Sequence, residues 1–332
     1  MNAPKVDPED DTQFVIASPN VVSALQAAAA QPDQAEPPAH DAFTRRLHRL
    51  EPDPTTPWHE AQPQVNRGDG VLVMDDSTLD KPDATAIDLV TRHGSGQHHA
   101  VVRGINLVTL LWTDGDRHIP CDYRVYHKAD GATKNDHFAA MIRTARDRGF
   151  SLRCVAFDSG YGSVKNLKLV QSCGWVWLTR LKSNRRVNRD RQGTKAVTDT
   201  VLAASGTEVG LKGYGLVKVF RMVAPNGDIA HWATNDLTMT DLTRKPFSEC
   251  SGMIEQYHHG IKQYTGIERC HARSATAQRN HIGLALRAFL RVEIDCFQRG
   301  IRWFAATRSI IHDALRAYLA KPFILLPNMA TA

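Results

Sequence analysis

Two short apolar runs that each break off at an aspartate limit what this chain can fold into. Val71-Leu72-Val73-Met74 runs straight into Asp75-Asp76, and Cys154-Val155-Ala156-Phe157 runs into Asp158. A continuous apolar tetrapeptide bounded by polar residues reads as a strand buried on both faces of a sheet. A carboxylate is costly to bury beside such a strand unless it is paired, solvated or metal-bound. The aspartates are therefore expected at the ends of central strands.

Around these two runs the periodicity alternates. Residues 100–112 and 118–126 are β-rich and flank Thr113-Asp114-Gly115-Asp116. An Asp-Gly pair in that setting is a strong hairpin signal. Asn135 or Asp136 is expected to cap a helix carrying Phe138, Met141, Ile142 and Ala145 inward, ended by Gly149. Residues 164–170 read as a helix and 175–181 as the next strand. Three strands, then helix and strand in alternation, predict a mixed sheet with an antiparallel meander and a parallel half.

Between 186 and 236 the pattern changes to a second hairpin, 217–223 and 229–233 about the turn Pro225-Asn226-Gly227-Asp228. After Phe247 the chain turns helical, over 252–264, 276–298 and 301–319. Residues 27–40 are alanine, glutamine and proline with two acids, a composition that buries little. Residues 1–40 are therefore expected to be poorly ordered. Residues 43–50 read as a short basic helix, after which Pro52, Pro54 and Pro57 interrupt the chain.

Bulk properties exclude several classes. Hydrophobic residues make up 42% and charged residues 23% of the 332, which fits a folded, core-forming chain. The six cysteines, at 121, 154, 173, 250, 270 and 296, form no C-x-x-C pair. That argues against a zinc ribbon and a disulfide framework and fits reduced thiols in the cytosol. No run approaches 18 apolar residues and the first sixteen carry acids, so neither a membrane span nor a signal peptide is expected. The chain reads as soluble and cytoplasmic. A net charge of +6 permits an anionic partner.

A third acid, Glu255, is expected near the start of the helix at 252–264. Taken singly, each acid has an ordinary explanation: a turn or cap for the aspartates, the helix macrodipole for the glutamate. Several carboxylates converging at strand ends can hold hard divalent cations. Two such ions about 4 Å apart can activate a water or a 3′-hydroxyl and stabilise the departing oxygen of a phosphodiester.

The stretches VLVMDDSTLDKP (71–82), VVRGINLVTLLW (101–112), CVAFDSGYGS (154–163), LTRLKSNRRV (178–187) and IEQYHHGIKQYTGIERCHARSATAQRNH (254–281) carry a resemblance. The sequence is similar to a group of bacterial insertion-sequence transposases of the DDE type, having a β-strand insertion before the catalytic glutamate. The resemblance implies an α/β fold, a ribonuclease-H-like mixed sheet flanked by helices, with a β-rich insertion and a helical C-terminal part. It divides the chain into an N-terminal segment (1–65, partly disordered with a short helix), the first part of the catalytic core (66–185), the insertion (186–240) and a helical remainder carrying the glutamate (241–325). It implies Asp75, Asp158 and Glu255 as catalytic residues holding Mg²⁺, with Mn²⁺ able to substitute. Asp76 fits the family's D-x-[S/T] pattern as well as Asp75. Asp75 is favoured because it follows the apolar run directly and leaves Leu79 where the family often has an apolar residue; adjacent strand residues face opposite sides of a sheet, so only one of the two is expected to be a ligand.

The resemblance further implies double-stranded DNA as partner, at transposon ends and at the target, bound by a homodimer. Its chemistry would be water attack at the transposon end, then attack of the freed 3′-hydroxyl on target DNA. Lys262, two helical turns past Glu255, stands where the family often has a residue touching the DNA backbone. Lys182, Arg185, Arg186 and Arg189, in a run that also holds Arg180 and Arg191, are expected to contact phosphate. Where the group commonly has Tyr, Arg and Trp before the glutamate, this chain has Ser248, Ser251 and Gly252. A serine cannot supply the charged fork of an arginine, which keeps open a decayed or repurposed transposase that binds DNA without cutting it. A di-iron bundle, suggested by Glu255-x-x-His258, would need a second such motif, and none is present. His93, His98 and His99 have no zinc spacing and are expected on a turn or strand surface. Trp175, Trp177 and Trp232 read as packing residues, with Trp232 also placed to stack on a base.

Overall fold

The computed structural model describes residues 6–18, 23–32, 37–95, 100–191 and 193–322. They fall into two compact units, the larger built from Asp53–His259 with Arg273–Ala275, the smaller from the residues before and after.

The smaller unit is helical. Its first helices are α1 (Pro8–Ala17), α2 (Ala24–Ala29) and α3 (His40–Arg49). The first two lie within residues 1–40, whose composition predicts poor order. Asp7 caps α1 through the backbone of Glu9 and Asp10, and Pro8 opens the helix where its missing N–H costs nothing. Val6, Ala27 and Phe43 then share a small core. The buried Arg46 guanidinium pairs with Asp11, which compensates two charges that burial would otherwise penalise. The long helices α8 (Ala275–Arg299) and α9 (Trp303–Ala320) supply the rest. At Gly260, an added Cβ would fall 2.8 Å from Trp303 and 2.9 Å from Phe289, so only glycine admits both rings.

The larger unit is one mixed sheet with helices. After α4 (Thr56–Ala61) come β1 (Val71–Asp80), β2 (Thr91–Ser95), β3 (Ala100–Thr113) and β4 (Ile119–Tyr126). They are followed by α5 (Lys134–Asp147), β5 (Cys154–Phe157), α6 (Val164–Ser172) and β6 (Trp177–Arg180). Five further strands complete it: β7 (Arg186–Asn188), β8 (Lys195–Ala196), β9 (Thr207–Leu211), β10 (Gly215–Val223) and β11 (Ile229–Thr234). The helix α7 (Asp241–Tyr264) follows.

Among the described residues the strand order is β2-β3-β1-β5-β6-β11-β10-β9-β7-β8, with β4 also on β3. β1 is antiparallel to β3 and parallel to β5, and β5 is parallel to β6. From β11 outward the strands run antiparallel and extend the same sheet. The turn between β3 and β4 uses Gly115 at φ 108°, a conformation that costs other residues a Cβ clash. Thr133, not Asn135 or Asp136, caps α5; Asp136 returns the bond as the partner of a capping box. The helix buries Phe138, Met141, Ile142 and Ala145 as its spacing predicts. Phe138 packs edge-on against Phe157 of β5 and stacks on Tyr161. No helix among the described residues is long and apolar enough to cross a membrane.

Candidate active site

β1 does not stop at the two aspartates. It continues to Asp80 because β3 pairs with it along its whole length, from Val71↔Thr113 to Asp80↔Gly104. Asp75 and Asp76 are therefore mid-strand residues and face opposite sides of the sheet. The parallel register of β1 on β5 ends at Met74↔Phe157, so the next residue on each strand, Asp75 and Asp158, stand in line on one face. Asp158 is exposed and accepts from the Gly160 N–H at 3.1 Å and the Ser159 hydroxyl at 3.4 Å.

Glu255 lies in the middle of α7, not near its start. The helix begins at Asp241 because Thr240 and Thr243 bond each other's backbone N–H at 2.8 and 3.2 Å, a reciprocal cap. Pro246 concealed this start, since proline normally interrupts a helix. Two residues past the exposed Glu255, Tyr257 is fully buried with its hydroxyl directed to Thr109. Thr109 is the register partner of Asp75, so the buried Tyr257 ring brings α7 beside the Asp75 face of the sheet.

The surroundings of Asp75 are acidic. Burial, and then the negative charges of Asp76, Asp158 and Glu255, push its carboxyl up to about 7, against the backbone N–H of Asp76. Asp76, on the other face, is surrounded by donors. It accepts from Lys134 Nζ at 2.6 Å, Tyr161 Oη at 2.8 Å and Asn106 Nδ2 at 2.8 Å. Burial alone would raise its pKa, but the Lys134 charge and these three bonds hold it below the usual value. Among the described residues no three His, Cys, Asp or Glu side chains are close enough together to hold a metal ion.

The structure scatters the expected basic contacts. Lys182, Arg186 and Arg189 are exposed beyond β6, but Arg186 and Arg189 donate to the Thr194 and Val201 carbonyls and so brace their own loop. Burial lowers the pKa of the half-buried Arg185. Lys262 pairs with Glu268 at 3.3 Å. Before Glu255, Ser248 and Ser251 bond back to the carbonyls of Lys245 and Ser248. The nearby Arg244 is buried against Asp241 and Ser248 and does not stand in for the absent arginine. His93 is a buried β2 residue bonded to Thr91 at 2.7 Å, while His98 and His99 lie outside the described residues. Trp175, Trp177 and Trp232 are buried. Lys134, Asn106 and Tyr161 escaped the sequence reading; Tyr161 and Lys134 reach Asp76 from 85 and 58 residues away, with no spacing signal.

The strand sequence β4-β3-β1-β5-β6, antiparallel then parallel, with acids on β1, after β5 and on a later helix, is the ribonuclease-H-like arrangement. The sequence profile described as Transposase DDE domain matches residues 66–291, more than half of the chain, and the chain belongs to that family. Among solved structures, it is similar to the piggyBac transposase synaptic complex with hairpin DNA, at 11% identity and a TM-score of 0.53, over 98% of this chain and 74% of that one. At that identity the likeness speaks for the fold. The Drosophila P element transposase strand transfer complex matches at 12% identity over 94% of this chain and 64% of that one, with a TM-score of 0.29, too low to add to the argument. No curated protein matches the sequence.

Proposed function

We propose that this chain is an active transposase that cuts DNA at transposon ends and joins the freed ends to a target, with Asp75, Asp158 and Glu255 as ligands of divalent ions, Mg²⁺ or in its place Mn²⁺. The observation that carries this reading is the unbalanced negative charge at Asp75. A carboxyl that keeps its proton to about 7, first because it is buried and then because of the charges of Asp76, Asp158 and Glu255, is a place where a divalent cation relieves repulsion. The donor set is all carboxylate oxygen, which suits a hard cation. When bound, such ions polarise the phosphodiester and lower the pKa of water or a hydroxyl.

The chain's own residues supply position. This reading is supported by the register of β1 on β5, which ends one residue before Asp75 and Asp158, and by the buried Tyr257 two residues past Glu255. In the first step a water oxygen bonds to phosphorus at the transposon end and the 3′-oxygen leaves as a hydroxyl. In the second, that hydroxyl attacks a target phosphodiester and displaces the target's own 3′-oxygen, so the number of phosphodiester bonds is conserved. Holding reactants in line this way can account for a large share of a barrier. The working form would be a homodimer pairing two DNA ends.

A second reading, a DNA-binding chain that no longer cuts, has its own support. Ser248 and Ser251 spend their hydroxyls on helix carbonyls, and Lys262 is paired with Glu268. Incubating the protein with Mg²⁺ or Mn²⁺ and a plasmid carrying the gene's own flanking DNA separates the two. The active reading expects cuts at defined ends by the wild type, and binding without cuts by Asp158→Asn and Glu255→Gln. Binding without cutting by the wild type supports the decayed reading, and full activity in either variant overturns the site.

A further inference from the structure

Among the described residues, α9 is held to the helical unit chiefly by its first turn. The Trp303 ring packs on Phe289, its indole N–H donates to Glu293, and Ala306 and Thr307 are buried. From Arg308 to Ala320 every residue is exposed except the half-buried Ser309 and Tyr318. An isolated helix of about 12–15 residues is marginal in water. This segment is nevertheless helical to Ala320, so it needs more packing than its own unit gives it.

The exposed part carries an apolar stripe. Phe304, Ile311, Leu315 and Leu319 are 55%, 36%, 50% and 70% exposed. Phe304, Arg308, Ile311, Leu315 and Tyr318 stand alternately four and three residues apart, with Leu319 beside them. On a helix that spacing runs along one side and is the seam of a two-stranded coiled coil. Arg308 lays its guanidinium over the Phe304 ring, 5.0 Å from the centroid, so its stem covers apolar surface while its charge reaches water. Off the stripe, Asp313 and Arg316 pair at 2.8 Å and nearly neutralise the polar side.

That charge balance separates the partners this helix could take. A polar side with one ion pair and no lysine between Trp303 and Ala320 offers little to DNA or an anionic membrane, both of which select for cations. An apolar seam with this spacing is self-complementary, because the same patch on a second chain supplies matching knobs and holes. The helix also lies past residue 291, where the match to the transposase domain ends. We propose that α9 pairs with α9 of a second copy of this chain, burying Phe304, Ile311, Leu315 and Leu319 between the two. The proposal rests on the reading of the working form as a homodimer, and it names the surface that forms it.

The test is sedimentation of the full chain in EDTA without DNA, over a series reaching about 100 μM, where a micromolar dimer is well populated. The wild type should sediment as a dimer at the upper end. Ile311→Glu and Leu315→Glu should each weaken the dimer by about tenfold or more, as when a central anchor is lost. Ala317→Glu, exposed on α9 but off the stripe, should leave it unchanged. Should the glutamates abolish the fold by circular dichroism, Leu315→Ala decides, weakening the dimer in the same direction. A wild type that stays a monomer throughout, or a dimer that the stripe variants and Ala317→Glu leave alike, overturns the proposal. Slow hydrogen exchange over 308–319 in such a monomer would assign the stripe's cover to the chain itself. A chain that cuts at transposon ends with Mg²⁺ but stays monomeric loses this surface and keeps its catalysis. One that never cuts but dimerises through the stripe keeps the surface and loses catalysis.

Discussion

Asp75 and Asp76 are adjacent in sequence and stand on opposite faces of one strand, and their surroundings are opposite in sign. Asp76 accepts from Lys134, Tyr161 and Asn106, and its charge is balanced. Asp75 faces Asp158 and Glu255, with no side-chain donor among the described residues comparable to those on Asp76, and holds a proton to about 7. A fold can bind an ionised carboxylate tightly to its own framework, or leave one short of counter-charge for a ligand to complete. The first arrangement stabilises the sheet; the second costs stability until a cation arrives. The sequence motif treats the two aspartates alike, and the pleat separates them.

The largest expected difference is in catalysis. Asp75→Asn should lower metal-dependent cleavage by about a thousandfold or more, several kcal/mol of transition-state stabilisation, in a plasmid-nicking assay. Asp76→Asn should retain measurable cleavage once its stability loss is allowed for. The next effect is on folding. Asp76→Ala strands Lys134 half-buried and should lower unfolding free energy by about 3 kcal/mol in urea, whereas Asp75→Asn should leave it equal or raise it.

The two carboxylates should also move stability in opposite directions with pH. Asp75 titrates near 7 when folded and about 3.9 when unfolded. Between those values the folded chain binds the extra proton, so stability falls as pH rises through the window. Asp76 has a depressed pKa, so its contribution is present at neutral pH and lost as pH falls through the folded value. Thermal unfolding from pH 4 to 8 should show a decline that Asp75→Asn removes and that Mg²⁺ reverses at the alkaline end. Persistence of the full decline in Asp75→Asn would remove that residue from the explanation. The smallest effect is Tyr161→Phe, which deletes one bond to Asp76 and should cost about 1 kcal/mol, with cleavage retained.

Much of the frame is legible in the residues because it is local. The apolar runs at 71–74 and 154–157, the Asp114-Gly115 turn, the hairpin around 225–228 and the helical periods after 276 each declare themselves within a short window. What is not legible depends on distant partners. The length of β1 past Met74 follows from β3, since Ser77 and Asp80 carry no strand signal of their own. The start of α7 at Asp241 is masked by Pro246, and α1 forms because Asp7 and Pro8 start it despite its polar composition. At the candidate site, the period-two rule shows that Asp75 and Asp76 face different ways. Only the register with β5 shows which of them stands in line with Asp158. The donors on Asp76 come from separate elements and leave no joint pattern in the sequence.

The most direct test is Mn²⁺ binding measured by electron paramagnetic resonance on the wild type, Asp75→Asn and Asp76→Asn, with each variant's fold checked by circular dichroism. The account predicts bound Mn²⁺ in the wild type and in Asp76→Asn, and its loss in Asp75→Asn. Equal binding in all three, or loss only in Asp76→Asn, would contradict it.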